Sequence, residues 1–172
     1  MPIILLVAST LAFWLIFWFI RMGGVDHFRE LFAQRKRDAQ RAAARESERI
    51  APLRAIDDPR DAATVLMLLI PRGGDPTRAQ FAAVQEKVRA VFGFEHDLAD
   101  RVTHARFIAS RANNFAEAAS VFSDLFNKRL TADERRELVD MVEGIAQIDG
   151  PSDGQTAAIE VLKRRIGLAP AV

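Results

Sequence analysis

At 172 residues with 49% apolar side chains, the chain is long enough for one packed domain with additional segments, and its composition excludes a disordered tail. Lys and Arg number 24 and Asp and Glu 23, so the net charge of +1 argues against a nucleic acid partner. Cysteine is absent from the sequence, which excludes disulfides, thiolate metal ligands and a cysteine nucleophile.

The chain begins with an uncharged segment, 3–20, that reads IILLVASTLAFWLIFWFI. As a helix it would extend about 27 Å, which is enough to cross the hydrocarbon core of a bilayer. It lacks the basic start and the small-residue cleavage site of a signal peptide, so we predict one uncleaved transmembrane anchor over residues 1–22. Its aromatic side chains would form either an interfacial belt or a contact with another membrane protein; the candidates are Phe13, Trp14, Phe17 and Trp18.

Basic residues follow this segment and none precedes it. Because Lys and Arg accumulate on the cytoplasmic side of a membrane span, we expect the N-terminus outside and the C-terminal domain in the cytoplasm.

Residues 23–57 are predicted to be a charged juxtamembrane helix followed by a linker. From Asp26 to about Arg49 the sequence is rich in the good helix formers Ala, Arg, Glu and Gln, and Pro52 and Pro59 then interrupt the pattern. The helix is polar on nearly every face, which indicates a solvated stalk. Alternatively it lies on anionic lipid headgroups through a basic cluster, which consists of Arg35, Lys36 and Arg37.

Residues 58–168 contain no convincing strand, and apolar side chains recur at helical spacing along them, Val91 and Phe107 included. The first of these segments, 62–70, is hydrophobic nearly all round, which predicts a central helix. Capping boxes precede later segments at Thr77-x-x-Gln80 and Thr131-x-x-Glu134. The sequence therefore predicts an all-α bundle of about six helices, followed by a short tail, 169–172.

The bundle contains an internal repeat. Its first unit is an apolar helix, a turn containing Gly73 and Gly74, a capping box and a second helix. The same order recurs in the last forty or so residues, where Asp149 and Gly150 occupy the turn and Ser152-x-x-Gln155 forms the capping box. We therefore expect a pseudo-symmetric pair of helical hairpins.

The stretch LTADERRELVDMVEGIAQIDGPSDGQTAAIEVLKRRIGL resembles the TerB-like family, the tellurite-resistance domain that also occurs at the N-terminal side of membrane-anchored DjlA-type co-chaperones. The resemblance covers residues 58–168 and is clearest over the last forty. It implies a pseudo-duplicated helical bundle in the bacterial inner membrane or beside it, and acidic residues in two turns that bind a divalent metal.

The acidic pattern of that family is largely replaced here. Gln155 and Gln80 stand where the resemblance implies Glu, and Gly73 stands where it implies Asp. A partial EF-hand pattern overlaps the second turn, but Pro151 at its third position has no side-chain oxygen. No cofactor is therefore expected, and the alternative is a divalent-metal site whose candidate ligands are Asp149, Asp153, Gln155 and Glu160.

Catalytic motifs are not evident, because His27, His96 and His104 are scattered and no nucleophile elbow or Walker loop occurs. We therefore predict a protein that is not an enzyme, with a membrane-anchored TerB-like module docking a protein partner. One alternative is a single-span accessory subunit of an inner-membrane respiratory or transport complex. The other is a divalent-metal-responsive stress protein.

Overall fold

A computed structural model describes residues 24–71, 75–94 and 96–168, with side chains from residue 39 onward. The described residues contain seven α-helices, one turn of 3-10 helix and no strand, which confirms the predicted all-α fold. The helices are α1 (Gly24–Arg54), α2 (Pro59–Leu69), α3 (Arg78–Phe92), α4 (Leu98–Ala109), α5 (Phe115–Arg129), α6 (Ala132–Ala146) and α7 (Asp153–Arg165), with the 3-10 turn at Gln147–Asp149 after α6.

The chain divides into two units, Met1–Glu48 and Arg49–Val172. In the first unit the described residues form α1 as far as Glu48, and every side chain from 39 to 48 is exposed. Within the described residues no helix is long and apolar enough to cross a membrane. The predicted anchor, 1–22, and the tail, 169–172, lie outside them.

The end of α1 differs from the prediction, because the helix continues through Pro52 to Arg54 instead of ending near Arg49. A proline lacks the N–H that an α-helix uses and normally breaks it. Here the turn closes again beyond the ring, where the Ala55 amide donates to the Ala51 carbonyl over 3.0 Å. Leu53, which is fully buried, joins the core and offsets the lost hydrogen bond.

An ion pair fixes the start of the second unit. Arg49 binds the Glu117 carboxylate, with Nη1 and Oε2 3.0 Å apart, and also donates to the Arg111 carbonyl. Glu117 accepts a further hydrogen bond of 2.7 Å from the Asn113 amide. The last turns of α1 are therefore held against the turn between α4 and α5.

Helix α2 is the centre of the bundle, as its all-round hydrophobicity predicts. Asp58 caps it by accepting from the Arg60 amide over 2.9 Å, and Pro59 fills its first position. All residues from Ala62 to Leu68 are buried, and α3, α4, α5 and α6 each pack against this helix. Helix α7 packs on α5 and α6.

Two apolar side chains on the predicted stripes are exposed. Val91 in the last turn of α3 is 41% exposed, because the left-handed Gly93 (φ 69°) turns the chain and Phe94 takes the buried place. Phe107 on α4 is 52% exposed, and the Arg111 guanidinium lies 4.9 Å from the centre of its ring. The spacing of apolar residues predicts which face of a helix is buried, but it does not predict how far along that face the neighbouring helix extends.

The first prediction concerns the start of the folded unit. In a fragment of residues 49–172, Leu53→Ala should lower the free energy of unfolding by about 2–5 kcal/mol, because it leaves a cavity under α1. The exposed Arg54→Ala serves as the control and should change it by less than about 0.5 kcal/mol. Urea unfolding followed by circular dichroism measures both changes. If fragments 49–172 and 58–172 were equally stable, residues 49–57 would not belong to the folded unit.

Candidate functional site

The two turns of the internal repeat are built by the predicted capping boxes. The Thr77 hydroxyl accepts from the Gln80 amide over 3.3 Å, and Gln80 Oε1 accepts from the Thr77 amide over 2.9 Å. Ser152 and Gln155 repeat the pattern at 3.3 and 2.8 Å. Both caps are confirmed, and they begin α3 and α7.

Hydrogen bonds join these turns to each other and to the central helix. The Thr77 hydroxyl lies 3.3 Å from Asp149 Oδ2, which links the first turn to the second. Gln155 is buried, and its Nε2 donates over 2.8 Å to the carbonyl of Ile70 at the end of α2. That carbonyl is one of those which a helix end leaves without a partner. The sequence pattern identifies the cap but gives no signal for this second bond of Gln155.

The Gln155 contact gives a physical reason for glutamine where the resemblance implies glutamate. A glutamate at this position would direct a carboxylate oxygen at the Ile70 carbonyl, and two acceptors repel each other in a buried setting. Gln80, at the equivalent position of the first turn, is also buried. In both turns the buried amide completes a cap instead of offering a charge to a cation.

The candidate metal ligands do not converge on one point. Asp149 is exposed and contacts Thr77, Asp153 is exposed in the first turn of α7, and Glu160 lies within α7 and pairs with Lys163 at 2.9 Å. The fourth candidate, Gln155, uses its amide as described above. Among the described residues no group of three or more His, Asp or Glu side chains is arranged to hold a metal ion.

The predicted membrane contacts fall on other parts of the chain. Phe13, Trp14, Phe17 and Trp18 lie outside the described residues. The backbone of Arg35, Lys36 and Arg37 is helical within α1, and their side chains are outside the description. Of the histidines, His96 and His104 have described side chains, and both are exposed.

The densest charge cluster lies where α2 and α4 begin. The Arg101 guanidinium bonds to both oxygens of Asp61 at 3.0 and 3.1 Å and to Asp97 at 2.6 Å. It also lies 4.1 Å from the centre of the buried Phe94 ring, and Arg60 lies 4.8 Å from the same ring. The sequence shows the i, i+4 spacing of Asp97 and Arg101, but only the fold brings Asp61 of α2 to them.

These contacts lower the pKa values of two carboxylates in the cluster, Asp58 and Asp97. Partial burial works to raise the pKa of Asp58, but hydrogen bonds from the Arg60 side chain and backbone, with the charges of Arg60 and Arg101, lower it overall. The hydrogen bond from Arg101 lowers the pKa of Asp97, and the same bond raises the pKa of Arg101. Ion pairs of this kind hold α2 and α4 together.

An open groove of about 650 Å³, here called the neutral groove, lies on the surface of the helical unit. It lies between the C-terminal ends of α2 and α4 and the N-terminal ends of α5 and α7. Asp75 is its only charged lining residue among those described. The uncharged lining side chains are mostly small or polar, and include Ala109, Ser110, Ala112, Asn113, Asn114, Ala116, Ser152, Gly154 and Ala158.

Comparison of the chain with protein-family models, with curated proteins and with solved structures gave no significant match.

A second prediction follows from the buried amide. Gln155→Ala should lower the free energy of unfolding by about 1–3 kcal/mol, because it leaves the Ile70 carbonyl buried without a partner. Gln147→Ala, at an exposed glutamine in the 3-10 turn that precedes α7, should cost less than about 0.5 kcal/mol.

Gln155→Glu extends this test. It should be destabilised at pH 7 and regain part of the loss under mild acid, because a protonated carboxyl can donate to the Ile70 carbonyl. Thermal unfolding over a pH series measures the recovery. A Glu variant as stable as the parent at pH 7 would show that Gln155 does not need to donate.

A third prediction concerns pH. Because the folded pKa values of Asp58 and Asp97 are lowered, their contribution to stability is present above the unfolded pKa of about 3.9 and is lost as pH falls through the folded values. Arg101→Gln should therefore lower the melting temperature at pH 7 and differ less from the parent below about pH 4. Arg89→Gln, on the exposed side of α3, should change the melting temperature little at either pH. If Arg101→Gln lowered the melting temperature equally at both pH values, its ion pairs would not be the source of the stability.

Proposed function

We propose that the chain is a membrane-tethered, non-catalytic interaction module of TerB-like architecture, whose helical unit docks a protein partner at the cytoplasmic face of the bacterial inner membrane. The observation that carries the proposal is the neutral groove, a recess whose described lining residues are mostly uncharged and which lies where four helix ends meet.

The lining of the neutral groove suits a polypeptide. Ala112, Ala116 and Ala158 allow the backbone of a partner to approach closely, as small residues do wherever chains pack tightly. Asn113 and Asn114 bring amide groups to its rim, and side-chain amides can hydrogen-bond both the donors and the acceptors of a peptide. Volumes of this order are typical of recesses that bind side chains or small ligands.

The repeat supports the TerB-like part of the proposal. Each half has a helix, a capping box and a second helix, and each box places a buried glutamine at its third helical position. The hydrogen bond between Thr77 and Asp149 joins the two turns, as expected of paired hairpins. Since the glutamines already complete the caps, a metal-responsive role receives no support from this part of the molecule.

The anchor rests on the sequence. The uncharged segment 3–20 has the length and composition of a single span, and the basic cluster Arg35, Lys36 and Arg37 follows it on the proposed cytoplasmic side. The accessory-subunit alternative draws on the spacing of Trp14 and Trp18, which share one face of a helix. In that case the span would contact another membrane protein.

A pull-down from native membranes in mild detergent is the fourth test. The full-length chain and a fragment of residues 49–172 should recover the same partner, because the helical unit does the binding. Ala116→Arg, which places a long side chain at the mouth of the neutral groove, should reduce recovery at least about tenfold, since it obstructs a desolvated contact. Ala157→Arg, at an exposed alanine of α7 outside the groove, is the matched control.

The span is tested separately by replacing 3–20 with a poly-leucine helix. If the partner is recovered with the poly-leucine span but not with Ala116→Arg, the result supports the interaction module. Partners recovered only with the native span would instead identify an accessory subunit. If Ala116→Arg and Ala157→Arg recover the partner equally well, the neutral groove is not the docking site.

A further inference from the structure

A smaller recess of the helical unit combines exposed apolar surface with two carboxylates. It has a volume of about 190 Å³ and lies between the last turn of α3, the start of α2 and the first half of α6. Its floor contains Leu138 and Met141, Val91 stands at its edge, and Glu134 and Glu137 form its rim. These five residues define the acidic groove, which shares no lining residue with the neutral groove.

The apolar part of this groove is incompletely covered. Leu138 and Met141 are buried at its floor, whereas Val91 is one of the few large apolar side chains exposed among the described residues. Phe92 and Leu130 are half-buried beside it. An exposed apolar side chain next to a recess is typical of a place where one apolar side chain of a partner becomes buried. A methionine at the floor can adapt to its shape.

The charge on the rim is not neutralised within the described residues. Glu137 is exposed and makes no ion pair there. Glu134 receives hydrogen bonds from the Thr131 amide and hydroxyl at 2.7 and 2.8 Å, both on Oε2, so Oε1 remains available. Those bonds hold the pKa of Glu134 below its usual value, so its charge persists near neutral pH.

The nearby cations are engaged elsewhere. Arg60 lines the same groove, but its guanidinium bonds to Asp58 at 2.9 and 3.1 Å. On α6 itself, Arg136 pairs with Asp133, and Arg135 bonds to the Asn127 side chain at 3.0 Å. The rim therefore presents two carboxylates one helical turn apart, with Cβ atoms about 5–6 Å from each other.

We propose that the acidic groove docks a basic amphipathic helix of a protein partner. One large apolar side chain of that helix enters the recess beside Val91, and Lys or Arg side chains three or four positions away contact Glu134 and Glu137. Charge complementarity selects this occupant, because an acidic segment or an anionic lipid surface would be repelled by the rim. The inference rests on the proposed function in that the occupant is a protein, and it adds the chemistry of the contacting segment.

The test uses the full-length chain in mild detergent and two synthetic helical peptides of about 18 residues, or five turns. Both carry Leu at positions i, i+3, i+4 and i+7, and the remaining positions are Lys in one peptide and Glu in the other. Fluorescence anisotropy at constant ionic strength should show the Lys peptide binding at least about tenfold more tightly than the Glu peptide. Its affinity should fall as salt is raised, since the rim charges are exposed.

Variants locate the site of binding. Glu137→Lys should weaken the Lys peptide about tenfold or more, and Asp124→Lys, the same charge reversal on α5 away from this groove, should change its affinity less than about twofold. Val91→Ser removes the apolar edge without changing the charge and should weaken binding severalfold. Melting temperatures of all three variants should match the parent closely, because the substituted side chains are exposed.

Equal affinity for the two peptides would overturn the proposal, and so would equal effects of Glu137→Lys and Asp124→Lys. Tighter binding of the Glu peptide would also overturn it. The proposed function would survive any of these results if Ala116→Arg still reduced recovery of the partner. That substitution changes the neutral groove and not the acidic groove.

Discussion

The burial of α2 is the constraint on which the rest of the helical unit depends. A helix that is apolar nearly all round must be enclosed, and no single neighbour can enclose it. Helices α3, α4, α5 and α6 surround it, and the chain between Ala62 and Leu68 has no exposed side chain. Its first turn is capped by Asp58 and carries Asp61, which binds Arg101 of α4, and the Ile70 carbonyl at its end accepts a hydrogen bond from Gln155. The grooves lie outside this core, where surrounding helices end or diverge.

Much of this architecture follows from local sequence. Capping boxes at Thr77, Thr131 and Ser152, and the proline after Asp58, predict where helices begin because they satisfy free backbone amides within one turn of chain. Apolar periodicity likewise predicts the core faces, with Val84 and Val88 buried. What local pattern cannot give depends on tertiary contact. The continuation of α1 through Pro52 is decided by the buried Leu53, and the exposure of Val91 is decided by the turn at Gly93.

The same division applies to the candidate site. The sequence identifies Gln155 as a departure from the acidic pattern of the TerB-like resemblance, but only the fold gives the reason, which is the need for a donor opposite the Ile70 carbonyl. Asp149 and Glu160 were candidate ligands by spacing, and the structure pairs them with Thr77 and Lys163. The two grooves leave no trace in local sequence, because each is assembled from three or more separate segments.

The central claim is that the helical unit contacts a protein through its neutral groove. Site-specific photo-crosslinking of the full-length chain in its native membrane tests this most directly, with a photoreactive amino acid placed at Ala116 in the groove or at Ala157 outside it. Both positions are exposed, so both substitutions leave the core intact. The account predicts a discrete protein adduct from position 116 and none of that mass from position 157. Equal adducts from the two positions, or adducts with lipid alone from position 116, would contradict it.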